Sequence, residues 1–151
     1  ARKAPLVEKV LEEELRPVAG VPGLLRTLDT RRCVASSSAV PRIRQSLTAT
    51  GLAAFFEPHL FSAGMVANGK PAPDLFEYAA ASMDTDAAEC VVVEDSRYGV
   101  NAGRAAGMHV IGFTAGAHCG PGLAAELLEA GAHEVASDAS ELRLALTRTP
   151  S

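Results

Sequence analysis

The chain has 151 residues, 48% of them apolar, and a formal charge of −4. That length and composition suit one domain with a hydrophobic core and are too apolar for a disordered segment. The acidic balance, with basic residues no denser than Arg2 beside Lys3 or Arg31 beside Arg32, excludes nucleic acid as a partner, and no apolar run is long enough to cross a membrane.

Cys33, Cys90 and Cys119 are odd in number and match no compact zinc spacing, so a disulfide framework is not expected. Cys33 and Cys90 lie in apolar runs and read as small core residues in a reducing, cytoplasmic setting. The N-terminal stretch is amphipathic and charged, unlike a signal peptide.

In chain order, residues 5–16 read as a helix, with Leu6, Val7, Val10, Leu11 and Leu15 at near-helical spacing. Pro17 ends it, and Pro22 starts a second helix at its first turn. Residues 33–35 form a short strand running into Ser36, Ser37 and Ser38. Residues 41–50 read as a helix with Ile43 and Leu47 inward, stopped by Gly51. A short strand over 59–63 precedes the loop NGKPAPD, and Asp74 is expected to cap the helix after it. Residues 89–94, with Val91, Val92 and Val93 in a row, read as a buried parallel strand. A small-residue helix over 97–108, a strand over 109–114, a helix ending at Gly131, a strand over 133–136 and a last helix complete the alternation. Strands alternating with helices predict an α/β fold, a doubly wound parallel sheet covered on both faces.

Ligands of such sheets collect beyond the carboxyl ends of the strands. Three polar clusters fall there: Ser36 with Ser37 and Ser38, Lys70 in its proline-flanked loop, and Glu94 with Asp95 and Ser96. Hydroxyls and adjacent amides bind phosphate oxygens, a lysine neutralises them, and paired carboxylates hold magnesium. Each cluster also has a plain reading: serines or the acidic pair as helix caps, Lys70 as a solvated charge. His118, in a glycine-rich loop, is a minor functional candidate. No GxSxG or GxGxxG motif occurs in strand–turn–helix context.

These motifs resemble those of the haloacid dehalogenase-like hydrolase superfamily, in its β-phosphoglucomutase-like and phosphoglycolate-phosphatase-like branch. VASSS at 34–38 resembles its second motif, GKPAPDLF at 69–76 its third, and VVVEDSRYGVNAGRAAGM at 91–108 its fourth. The resemblance implies a Rossmann-like core, Ser36, Ser37 and Lys70 as phosphate-binding residues, and Asp95 as a ligand of Mg2+ with Glu94 as a direct or water-mediated one. Ser36, Lys70 and Asp95 become the catalytic set. The family's Asp-x-Asp-Gly-Thr, which carries the nucleophile and the acid/base, is nowhere in these 151 residues. Residues 1–16 then correspond to the last helix of an otherwise missing helical cap domain, and 17–151 to an α/β phosphatase-like core lacking its first, nucleophile-bearing strand.

The expected function is magnesium-dependent hydrolysis of a small phosphomonoester through an aspartyl-phosphate, performed by a longer parent protein, with the 151 residues alone inactive. The partner is a small phosphorylated metabolite. A β-phosphoglucomutase-like phosphomutase is the alternative within the family, and a non-catalytic α/β binding or regulatory protein is the alternative outside it.

Overall fold

The computed structural model describes residues 4–7, 12–13, 16–116 and 120–148. Its centre is a six-stranded, all-parallel sheet. In chain order the strands are β1 (Ala4–Val7), β4 (Cys33–Ser36), β5 (Leu60–Ser62), β6 (Cys90–Glu94), β7 (His109–Phe113) and β8 (Glu134–Ala136), and in space they run β5-β4-β1-β6-β7-β8. β2 (Glu12–Glu13) and β3 (Arg16–Pro17) form a separate antiparallel pair.

The described residues also form the helices α1 (Val21–Thr27), α2 (Val40–Ala49), α3 (Ala53–Phe56), α4 (Asp74–Ser82), α5 (Arg97–Ala105) and α6 (Leu123–Ala130) between strands, and α7 (Ala139–Arg148) after β8. The strands alternate their side chains between two hydrophobic layers. Val91, Val93, Ile111 and Phe113 pack with α1, α2 and α7, while Cys90, Val92 and Val110 pack with α4, α5 and α6. This explains the uninterrupted valine run: a strand covered on both faces has no solvent side on which to place a polar residue. Cys33 and Cys90 are fully buried core residues, as expected. α6 ends at Gly131, whose φ of +118° is open to glycine and strained for other residues.

The N-terminal segment departs from expectation. In place of a helix over 5–16, residues 4–7 are extended and pair in parallel with two neighbours at once: Val7 lies level with Val34 of β4 and with Val93 of β6. The sheet therefore has a central first strand, where a core without one is expected. The physical cause is the slot itself. Without β1, β4 and β6 would each present a buried row of unpaired amides and carbonyls, and four extended residues satisfy both rows. Pro5, which has no N–H, leaves the strand one donor short. The rest of the predicted helix, residues 8–11 and 14–15, lies outside the described residues.

Candidate active site

Three strands end at one edge, and their register brings the three clusters together. Ser36 closes β4 opposite Ser62, the last residue of β5. The Ser36 hydroxyl oxygen accepts the Ser38 N–H at 3.0 Å, and the Ser62 hydroxyl donates to the Ser38 carbonyl at 2.7 Å. The serine turn is thus tied to β5 and turned back on itself. It caps no helix: α2 begins after Ala39 with no side-chain cap. Ser36 is buried and Ser37 is exposed.

Lys70 reaches the same edge from the loop between β5 and α4. Its Nζ donates to the Ala35 carbonyl at 3.1 Å and to Glu94 Oε2 at 2.8 Å, and it sits 4.9 Å from the centre of the Phe76 ring. The Lys70 side chain is 4% exposed and that of Glu94 0%, so this pair is removed from water and is not the solvated charge of the plain reading. Charges so buried are tolerated only when paired and hydrogen-bonded. The loop is braced by Asp74, which does not cap α4; Pro73 holds that position. Its carboxylate instead accepts both the backbone N–H and the side-chain amide of Asn68, each at 3.2 Å. The Lys70–Pro71 peptide is cis.

Glu94 ends β6 and is held on both oxygens. Oε1 accepts the Asp95 N–H at 3.1 Å and the Ser96 hydroxyl at 3.4 Å, while Oε2 takes Lys70. Ser96, not the acidic pair, caps α5 by accepting the Gly99 N–H at 3.1 Å. Helix α5 passes so close to Glu94 that a Cβ on Gly99 would stand 1.9 Å from its carboxyl carbon. Asp95 is 9% exposed and lines a cleft of ≈ 640 Å³ together with Arg97, Tyr98, residues 120–123 and Glu126. Arg97 Nη2 donates to the Tyr98 hydroxyl at 3.2 Å, and its Nη1 lies 3.9 Å from Glu126.

The predicted site residues therefore meet at one edge: Ser36, Lys70 and Glu94 through a chain of contacts, with Asp95 next to them at the cleft. His118 lies outside the described residues. Ser62 and Gly99 are additions that sequence reasoning missed. The signals were present, a serine closing the strand beside Ser36 and a glycine five residues after Glu94, yet neither is interpretable without the strand register. Arg97 and Tyr98 gave no signal.

Comparison with known proteins follows the same lines. The family model described as haloacid dehalogenase-like hydrolase matches residues 1–107. The 6-phosphogluconate phosphatase of Escherichia coli (strain K12) is 30% identical over 115 residues, covering 76% of this chain and 52% of that protein. A solved haloacid dehalogenase-like protein of unknown function from Agrobacterium tumefaciens superimposes with a TM-score of 0.83 at 40% identity, covering 87% of this chain and 60% of the other. A haloacid dehalogenase family hydrolase from Deinococcus radiodurans, solved with bound phosphate and sodium, superimposes at 0.82 with 33% identity, covering 89% and 60%. The chain spans about half the length of the curated relatives it matches.

Proposed function

The chain belongs to the haloacid dehalogenase-like hydrolases, and we propose that it is the phosphate-gripping part of a magnesium-dependent phosphatase acting on a small phosphorylated sugar in the cytoplasm. The observation that carries this reading is the convergence of Ser36, Lys70 and the Glu94–Asp95 pair at one sheet edge, with the lysine buried against Glu94. Phosphatases among the relatives, and the phosphate bound to the Deinococcus hydrolase, support it.

In this reading the Ser36 hydroxyl and the amides of the Ser37 turn bind phosphoryl oxygens, and Lys70 supplies a fixed positive charge. Glu94 positions that charge, because a lysine pinned to the Ala35 carbonyl and to Glu94 reorganises little when the phosphate gains charge. The donor set fits magnesium, which takes one or two carboxylates and completes its shell with water and phosphate oxygens. Asp95, at the cleft, would hold it, with Glu94 adding negative charge from behind. Magnesium bound there would neutralise the phosphoryl group and orient it. The attacking aspartate comes from outside these 151 residues, which contain no Asp-x-Asp-Gly-Thr. Its carboxylate displaces the alcohol to give an aspartyl-phosphate, and water then releases inorganic phosphate and restores the carboxylate.

The test is phosphate release from sugar monophosphates by the full reading frame containing this chain, with magnesium and with a chelator, beside the 151-residue chain alone. Chelator-sensitive turnover by the long protein and none by the short one is expected. Isomerised sugar phosphate in place of free phosphate would make the protein a mutase, and no reaction in either form would leave a binding protein.

A further inference from the structure

Ser62 closes β5 and is 5% exposed, on the same face of that strand as Leu60, which belongs to the core. A hydroxyl in place of an apolar side chain is costly at such a position unless it is hydrogen-bonded. Resting on the phosphatase reading above, we propose that Ser62 is a positioning residue for the phosphate grip. It locks the serine turn to the start of the lysine loop and thereby fixes the direction in which Ser36 meets a phosphoryl oxygen.

A hydroxyl has one hydrogen and two lone pairs. The Ser62 hydrogen goes to the Ser38 carbonyl at 2.7 Å, since a carbonyl only accepts, and the Ser62 oxygen accepts the Gly64 N–H at 3.3 Å. The second bond caps the short 3-10 helix Ala63–Met65, from which the loop to Lys70 departs. Capping needs only the acceptor. The donated bond does something else: it crosses 24 residues of sequence to the turn that presents Ser36. Ser38 in turn donates its N–H to the Ser36 hydroxyl oxygen at 3.0 Å, which leaves the Ser36 hydrogen as the group that hydroxyl can offer a phosphoryl oxygen. Ser38 is thus held at its carbonyl and at its N–H, and Ser62 sets the first of these. At the other end of the two segments, Lys70 Nζ donates to the Ala35 carbonyl at 3.1 Å. Residues 35–38 and 62–70 are therefore clasped twice, by Ser62 and by Lys70, so the serine hydroxyl and the lysine charge keep one spacing. The oxygens of a phosphoryl group also have one spacing, and donors that drift from it lose their hold on the transition state.

The experiment uses the full-length protein with Ser62→Thr and Ser62→Val, two side chains of one shape that differ by the hydroxyl. Three quantities are read: the dissociation constant of inorganic phosphate by titration calorimetry, kcat and KM for a sugar monophosphate, and the magnesium concentration at half-maximal activity. Ser62→Val is expected to weaken phosphate binding and raise KM about tenfold, and Ser62→Thr to stay within about twofold of the parent. The magnesium constant should hold in both, because Glu94 and Asp95 follow β6, two strands away from β5. Should Ser62→Val fail to fold, Ser62→Ala removes the hydroxyl without adding bulk and carries the same expectation. Phosphate bound equally well with and without the hydroxyl overturns the assignment. A magnesium constant that shifts in step with phosphate binding also overturns it, and makes Ser62 a cap whose loss loosens the whole edge. Phosphate binding is read without turnover, so a protein that binds phosphate but hydrolyses nothing overturns the phosphatase reading alone, with the two variants still deciding Ser62. A protein that neither binds nor hydrolyses overturns both.

Discussion

Gly99→Ala should separate a glycine required by close approach from one that merely sits in a helix. A Cβ at position 99 would lie 1.9 Å from Glu94 Cδ and 2.2 Å from both Cγ and Oε2, whereas ordinary contact begins at 3.4 Å, a retreat of about 1.5 Å. Glu94 has nowhere to go: it is fully buried and tied to Lys70, the Asp95 amide and the Ser96 hydroxyl. Overpacking of this kind costs about 1–3 kcal/mol, and rupture of the buried ion pair about 3–5 kcal/mol. Alanine returns about 1 kcal/mol of helix propensity. The net expectation is a loss of about 3–7 kcal/mol. The internal control is Gly23→Ala in α1, where nothing lies within 4 Å of the added carbon; the same propensity term acts alone there, and a gain of about 1 kcal/mol is expected. Urea unfolding followed by circular dichroism reads both on one scale. A Gly99→Ala protein as stable as the parent would refute the packing argument, and equal shifts in the two variants would show that propensity alone governs them.

Glu94→Gln keeps the shape but removes the negative end of the buried Lys70–Glu94 pair; a loss on the order of 3 kcal/mol in urea unfolding is expected, and an unchanged midpoint would mean that the pair is not the anchor of the loop. The His133 imidazole is held below its usual range by burial first and then by the neighbouring His109 and Arg104 charges, and its Nδ1 accepts the Val110 N–H at 3.0 Å. The unfolded chain therefore takes up a proton that the folded one refuses, so stability should fall as pH drops below about 6.5. His133→Asn should flatten that slope in a pH series of unfolding curves, and an equally steep slope would assign the acid sensitivity elsewhere. Burial pushes the Cys33 thiol far up, with Cys90 close by, so iodoacetamide should label these two only after denaturation; labelling of the native chain, read by peptide mass, would contradict the packing.

The candidate site was legible in the sequence to the extent that it is local. Ser36, Lys70 and the Glu94–Asp95 pair each follow a strand, and chain order alone places strand ends of a parallel sheet at one edge. What connects them is not local. Lys70 and Glu94 are 24 residues apart and meet at 2.8 Å only because β4, β6 and the loop before α4 share that edge. Ser62 matters because the β4–β5 register sets it opposite Ser36. Asp74 carried every sign of a helix cap, yet Asn68 offers two donors to the same carboxylate oxygen, and a loop staple displaced the cap.

Residues 4–7 show that override at its strongest. Leu6, Val7, Val10, Leu11 and Leu15 meet the spacing of a helix, and an apolar run this short fits either period. The choice is made outside the segment. A helix satisfies only its own backbone, while an extended strand also satisfies the inner rows of β4 and β6. The family resemblance implies that the nucleophile strand of the proposed phosphatase takes that slot, and only one strand can pair with both neighbours. The two segments therefore exclude each other: in the longer protein the nucleophile strand should displace residues 4–7. The amides of Leu6 and Val7 would then lose hydrogen-exchange protection while those of β6 keep theirs. If Leu6 and Val7 stay as protected in the longer protein as in the 151-residue chain, the nucleophile strand does not enter between β4 and β6, and the catalytic aspartate must reach Ser36, Lys70 and Asp95 by another route.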